Sequence, residues 1–373
     1  MRFHVLSIPH TKTHPEFSGC AFTQKALKWI KMMSGRGHEI IHYGHHDSLI
    51  HTADDIEHVS VITDTDHRQA YGDDYVDNKS WQERGFAAYY STNDHAHLVF
   101  HANSIKEISK RKKPNDFILH FWGWGTKPVG DYHNDLINVE PGIGNGAGWC
   151  RWRIYESHAV RNAMGGAENI NMCNQDFYQR VIPNYFDVDD FDYRERKQPY
   201  VLYLGRVGWM KGVDIAIEAT RVAGKRLIVA GQGTLAEMGY HTVPDHVTEF
   251  GYADPFKRRE LMSNAESLFI ASRYGEPFGG VQVEAFLSGT PVVSPEWAAF
   301  YEVNKHGITG FHCWTFRDYV EALQKAPSLD PTAIRRHGLN YSLDSIAPRY
   351  ERYFQDVLNV HTGAGWYDMG DTK

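Results

Sequence analysis

Two carboxylates, Glu276 and Glu284, stand on either side of a glycine-rich stretch, Pro277-Phe278-Gly279-Gly280-Val281, with seven residues between them. The residues before it, Ala265 to Ser272, read as a short buried strand, and Val281 to Leu287 as the first turns of a helix stopped by Gly289 and Pro291. Free N–H groups and the positive end of a helix dipole favour an anion there. Gly279 and Gly280 let main chain come close to a ligand with no Cβ in the way. Glu276 and Glu284 can accept hydrogen bonds from sugar or ribose hydroxyls. A second pair, Arg206 and Lys211, lies where another strand runs into another helix. A guanidinium fork and an ammonium are what a departing diphosphate needs if no metal neutralises it. Either pair alone fits an acidic first turn or a charged surface loop. Together they point to a nucleotide sugar.

The elements that hold these residues follow from the apolar pattern. Phe3 to Ile8 is a predicted buried strand, broken at Pro9. Ala21 to Met33 is a predicted helix, with Phe22, Ala26, Leu27, Ile30 and Met33 on its inner face and Lys25, Lys28 and Lys31 elsewhere. Glu39 to Gly44 restarts a strand, which makes a βαβ unit and puts the Gly19 loop at the carboxyl edge of a parallel sheet. Asp116–Phe121 and Asp135–Val139 read as further strands, each followed by a glycine loop: Trp122-Gly123-Trp124-Gly125-Thr126 and Glu140-Pro141-Gly142-Ile143-Gly144-Asn145-Gly146. The tryptophans suit either stacking on sugar rings or core packing. Arg153 to His158 is expected to start a helix.

Asp187 to Gln198 reads as a charged linker, and the alternation then begins again. Strands are expected at Tyr200–Gly205, Leu227–Ala230 and Val247–Gly251, with helices at Val213–Val222 and Pro255–Asn264. A last helix is expected from Ile346 to Leu358. The fold class is α/β with two doubly wound, Rossmann-like domains. Domain one takes in residues 1–185 joined by about 345–373, and domain two residues 186–344.

Composition narrows the class. The chain has 373 residues, 42% of them apolar, enough for two cores. A formal charge of −7 gives no general field for nucleic acid, which is not expected as a partner. Cys20, Cys150, Cys173 and Cys313 lie far apart with no C-x-x-C pair, as in reduced intracellular thiols. The first residues are too polar for a signal peptide, and no run is long and apolar enough for a membrane span, so a cytoplasmic location is expected. Residues 44–80 hold His45, His46, Asp47, His51, Asp64, Asp66 and His67 without ligand-like spacing, and a solvated loop is expected there rather than a metal site. The basic run Lys106, Lys110, Arg111, Lys112 and Lys113 reads as a solvated helix end, or as a contact with an anionic membrane or acceptor.

With these residues in view, the chain resembles the retaining glycosyltransferases of GT-B fold, family 4. The matching motifs are Tyr203-Leu204-Gly205-Arg206 with Lys211-Gly212, Ala230-Gly231-Gln232-Gly233, and Phe250-Gly251-Tyr252. Glu276-Pro277-Phe278-Gly279-Gly280 through Glu284-Ala285, Gly289-Thr290-Pro291-Val292 and Gly307-Ile308-Thr309-Gly310-Phe311 complete them. The first half is similar more loosely, through the Gly19 loop, Gly37-His38-Glu39 and Ile182-Pro183-Asn184. The Glu140 segment with Arg153-Ile154-Tyr155-Glu156-Ser157 resembles a bacterial and viral subgroup.

The resemblance implies that two domains face a central cleft. It also implies that a sugar passes with retention from a nucleotide-diphosphate donor to an acceptor hydroxyl, with no metal and no other cofactor. Arg206 and Lys211 would hold the diphosphate, with main-chain N–H groups of Gly279, Gly280 and Val281. Glu276 would touch the donor sugar, Glu284 the ribose, and the Gly19 loop would close over the phosphates. Gly205, Gly231, Tyr252 and Phe278 complete the expected donor site. Many relatives carry a histidine where Glu140 stands, with His120 and His158 its nearest substitutes in this sequence. Glu140 is therefore the expected catalytic residue of the first half. A glycan or glycoconjugate is the expected acceptor. A nucleotide-sugar epimerase and an inactive nucleotide-sugar-binding module remain the other readings.

Overall fold

The structure, a computed structural model, describes residues 1–50, 54–144, 146, 148–168 and 178–363. His51, Asn145, Cys173 and residues 364–373 lie outside them. The chain divides into two compact units. Unit 1 takes Met1–Glu156, Ala163–Ile182 and Ile346–Lys373, and unit 2 takes Ser157–Asn162 and Pro183–Ser345.

Unit 1 is built on seven strands: β1 (Arg2–Leu6), β2 (Glu39–His45), β3 (Ile56–Ile62), β4 (Phe117–His120), β5 (Ile137–Ile143), β6 (Trp152–Tyr155) and β7 (Gln179–Val181). They lie side by side as β3-β2-β1-β4-β5-β6-β7, every pairing parallel. Phe3 on β1, Phe117 on β4 and Trp29 on the helix Ala21–Met33 form an aromatic core. The C-terminal helix Leu343–Thr362 adds Phe354, with ring centroids 4.8 Å from Phe3 and 5.3 Å from Phe117.

Unit 2 has six strands: β8 (Gln198–Leu204), β9 (Leu227–Ala230), β10 (Val247–Gly251), β11 (Ala265–Phe269), β12 (Val292–Pro295) and β13 (Gly310–Cys313). Their order, β10-β9-β8-β11-β12-β13, is again parallel throughout. Both sheets thus run outward one way and then the other from their first strand. The reversal falls between β1 and β4 in unit 1 and between β8 and β11 in unit 2. Loops leaving the carboxyl ends of those neighbours open a crevice, where doubly wound sheets bind ligands.

Several local expectations need correction. The stretch 44–80 is not a loop: it holds β3 and the helix Asp64–Tyr71. In β3 the apolar residues alternate with Glu57, His58 and Ser60, so the strand is only half-buried. The helix is polar, and the Asp66 carboxylate closes its start by accepting the Thr63 N–H at 2.9 Å. Glu140 is not in a loop after its strand, because β5 runs on to Ile143. Pro141 is tolerated because pairing with β4 stops at Val139, so no partner there needs its missing N–H. Arg153 lies in β6, not at a helix start, and the helix begins at His158. Lys25 is not on an outer face. It is buried, its ammonium against the Glu156 carboxylate and 3.0 Å from the Gly142 carbonyl.

Candidate functional site

The loop Gly205–Gly212 leaves β8, and the loop Ile270–Gly280 leaves β11. These two strands flank the reversal in unit 2, so the loops are neighbours and bring Lys211 and Glu276 together. The Lys211 ammonium rests on the Glu276 carboxylate. The same oxygen accepts hydrogen bonds from the Tyr274 hydroxyl at 2.7 Å and the Ser272 hydroxyl at 3.1 Å. Lys211 also lies 4.9 Å over the Tyr274 ring, a cation–π contact. Burial, and next the Glu276 carboxylate, raise the Tyr274 phenol well above its usual range, so it stays a hydrogen-bond donor. Arg206 is exposed on the same loop, and among the described residues no carboxylate pairs with its guanidinium.

Glu284 lies on the short helix Val281–Leu287. One of its oxygens is 2.8 Å from the Arg258 guanidinium, on the helix Pro255–Asn264 that follows β10. Tyr252 is exposed just ahead of that helix. Gly279 has φ +68°, and a Cβ there would sit 2.8 Å from the Phe300 ring. Glycine is required at that position by packing within the unit, in addition to any ligand. Gly231 sits where a Cβ would lie 1.8 Å from the Gly205 carbonyl, so the glycine at 231 lets the loops after β8 and β9 touch, while a Cβ at Gly205 would meet nothing. The Phe278 ring is buried between Phe186 and Tyr341, which leaves only its main chain to offer a ligand.

In unit 1 the expected residues lie apart. Gly19 is exposed next to the start of the helix Ala21–Met33, and a Cβ there would find its nearest neighbour, the Phe86 ring, at 3.7 Å. The protein itself does not demand a glycine at that position. Glu140 is 2% exposed. One of its oxygens accepts the N–H groups of Trp149 and Cys150, both at 2.8 Å. Burial pushes Glu140 up to about 7 in spite of these two bonds, so it is a carboxylate that ties down a loop. His120 is fully engaged with Thr126 and Asn138, at 2.9 and 2.8 Å. His158 is exposed at a helix start, its main-chain N–H donated to Glu302. Of the tryptophans, Trp122 is packed edge-on against Phe22 and His10, while Trp124 is exposed.

Two further clusters resolve on inspection. His45, Asp64 and His67 meet closely enough to suggest a metal site. Yet His45 Nδ1 accepts the Asp47 N–H, which places the ring proton on Nε2, the nitrogen facing Asp64 at 3.2 Å. The Lys12 ammonium stands 2.9 Å from both Asp64 and Asp47. The resident ammonium already supplies positive charge to these carboxylates. In the basic run, Lys110, Arg111 and Lys112 pair with Glu107, Glu57 and Asp135 at 2.5 to 2.8 Å, while Lys106 and Lys113 are exposed.

Sequence reasoning missed the partners Ser272 and Arg258, and gave Tyr274 and Arg273 no role. Only the position of Arg273-Tyr274, directly before the glycine stretch, could have signalled them.

Comparison with known proteins fits this geometry. Residues 187–335 match the family described as Glycosyl transferases group 1. The matched stretch lies within unit 2. An uncharacterised glycosyltransferase of Methanocaldococcus jannaschii is 31% identical over 173 residues, 43% of each chain. Glycogen synthase of Mycobacterium tuberculosis is 33% identical over 172 residues, 42% of this chain and 41% of its own. These matches take in less than half the length of the curated relatives. Among solved structures, AviGT4, a glycosyltransferase involved in avilamycin A biosynthesis, superposes with a TM-score of 0.67 over 96% of this chain and 98% of its own. At 16% identity that likeness speaks to fold, and the fold is GT-B. The matched residues span β8 to β13, and with them Arg206, Lys211, Glu276 and Glu284.

Proposed function

We propose that the chain is a retaining glycosyltransferase that takes its sugar from a nucleotide-diphosphate donor held by unit 2 and passes it to the hydroxyl of a glycan or glycoconjugate. The observation that carries this reading is the meeting of Lys211 and Glu276, with Arg206 exposed beside them, at the reversal of the unit 2 sheet. In the absence of a donor the ammonium is satisfied by Glu276. With a donor bound, Arg206 and Lys211 face the two phosphates and carry the charge that develops as the diphosphate leaves, so the reaction asks for no metal. Glu276, freed of part of its pairing, accepts from a sugar hydroxyl. Glu284 accepts from the ribose, and the N–H groups of Gly279, Gly280 and Val281 add donors to the phosphate.

In the chemical step the bond from the anomeric carbon to the phosphate oxygen breaks as the acceptor oxygen attacks from the same face. The acceptor proton passes to the departing phosphate oxygen, so no protein nucleophile is used. Glu140 is buried and engaged, and its part in this scheme is to hold the loop before β6.

Calorimetric titration with UDP, GDP, ADP and TDP, with and without EDTA, tests the donor site. One of them is expected to bind in both conditions, and Lys211→Ala and Glu284→Ala each to weaken it about tenfold or more. A folded parent protein that binds none of them sinks the reading. Release of free nucleoside diphosphate that depends on an added acceptor separates a transferase from an epimerase or a binding module.

A further inference from the structure

The distance between the Lys211 ammonium and the Glu276 carboxylate is set by two loops that contain little regular structure, a single 3-10 turn at Trp209–Lys211 being the exception. A clamp joins them, and its centre is Arg273. Its main-chain N–H is donated to the Met210 carbonyl at 2.8 Å, and its guanidinium donates to the Trp209 carbonyl at 2.6 Å. The same guanidinium forks onto Asp214, at 2.7 and 2.6 Å. The Trp209 indole covers its flat face, 3.6 Å from ring centroid to guanidinium carbon. Asp214 belongs to the first turn of the helix Val213–Ala223, which is anchored in the core by Val213, Ala216 and Ile217. The clamp therefore references both loops to one fixed helix.

We propose that Arg273 is a positioning residue. It fixes where Lys211 stands relative to Glu276, and so where the outer phosphate of the donor is received. The inference rests on the donor site proposed above. The Asp214 fork and the Trp209 carbonyl hold the Arg273 guanidinium to the clamp, so its assigned part is to position rather than to take a phosphate. Trp209, 60% exposed, gains a reason for its place: it is the cover of a planar cation. Lysine cannot substitute, because an ammonium has neither the fork that Asp214 and the Trp209 carbonyl require nor a face to stack.

The clamp borders the residue that meets the outer phosphate and lies away from the exposed Tyr252 end of the site, so its loss has a particular signature. The test is calorimetric titration of the full chain with UDP and UMP, GDP and GMP, and ADP and AMP. It compares the parent protein with Arg273→Gln, Arg273→Lys and Trp209→Ala. The parent is expected to prefer the diphosphate of the matching pair. In Arg273→Gln and Arg273→Lys that preference shrinks about tenfold, with monophosphate affinity little changed. Trp209→Ala, which removes the cover alone, gives a smaller change of the same sign and carries the test if an Arg273 variant does not fold. An unchanged preference in folded variants, or an equal loss of both nucleotides, overturns the clamp. A parent protein that binds neither nucleotide overturns the donor site beneath it.

Discussion

At the scale of single residues, most charges of the unit 2 site are already paired, Arg206 being the exception among the described residues. Lys211 is satisfied by Glu276 and Glu284 by Arg258, so a ligand must exchange partners rather than fill a bare pocket. Such exchange limits affinity, because each new bond replaces one already made. Glu140 shows the opposite case, a carboxylate whose burial is only partly compensated. Its ordinary value is 4.5 and burial raises it to about 7, so the folded state holds the proton more tightly than the unfolded chain. Its contribution is therefore most favourable below pH 4.5 and is lost as pH rises to about 7, a cost of about 3 kcal/mol. Glu140→Gln keeps an acceptor for Trp149 and Cys150 but carries no charge. We expect its unfolding free energy to move in the variant's favour by about 2–3 kcal/mol, relative to the parent, between pH 5 and pH 8. Urea melts at the two pH values read this directly, and parallel pH profiles would contradict it.

At the scale of elements, the helix Leu343–Thr362 is a structural member of unit 1. Phe354 is fully buried and meets Phe3, Trp29 and Phe117. Phe354→Ala should destabilise that unit by about 3–5 kcal/mol, measured as a shift in its denaturant midpoint. Several elements were legible residue for residue. Ala21–Met33, Leu227–Ala230, Val247–Gly251, Pro255–Asn264 and Val281–Leu287 were expected with the bounds they have. Stop signals helped at the last of these helices, which Gly289 and Pro291 follow. What escaped had its pattern overridden by contacts distant in sequence. β6 is four residues long and is held by β5 and β7 on either side. Lys25 sits at a helical spacing that reads as polar, yet Glu156 and Gly142 draw it inside. In the site, Lys211 and Glu276 could be paired from their places at neighbouring strand ends. Arg258 and Arg273 could not, since nothing in spacing says which carboxylate a guanidinium will reach.

At the scale of the whole molecule, two sheets of one strand order carry different surroundings at their reversals. Unit 2 gathers exposed or half-exposed charge there, while unit 1 gathers packed aromatics such as Trp122 and His10. Among the described residues no helix is long and apolar enough to cross a membrane. If the donor binds unit 2, a matching nucleoside diphosphate at about 100 times its dissociation constant should raise that unit's unfolding free energy by about 2.7 kcal/mol. Hydrogen exchange of the slow amides on β8 and β11 is the measurement, and no rise in their protection would contradict it.

The divided make-up of unit 1 also sets an order of events on the ribosome. Phe3, Trp29 and Phe117 emerge first, but Phe354 follows only after the whole of Pro183–Ser345 has been synthesised. At ordinary elongation rates the aromatic face waits uncovered for roughly 10–50 s after Phe117 is made. Unit 2, nearly continuous in sequence, can close in that interval. The half of the chain that begins first is the half completed last, and a nascent chain stalled before Phe354 carries a finished unit 2 while the aromatic face of unit 1 is still open.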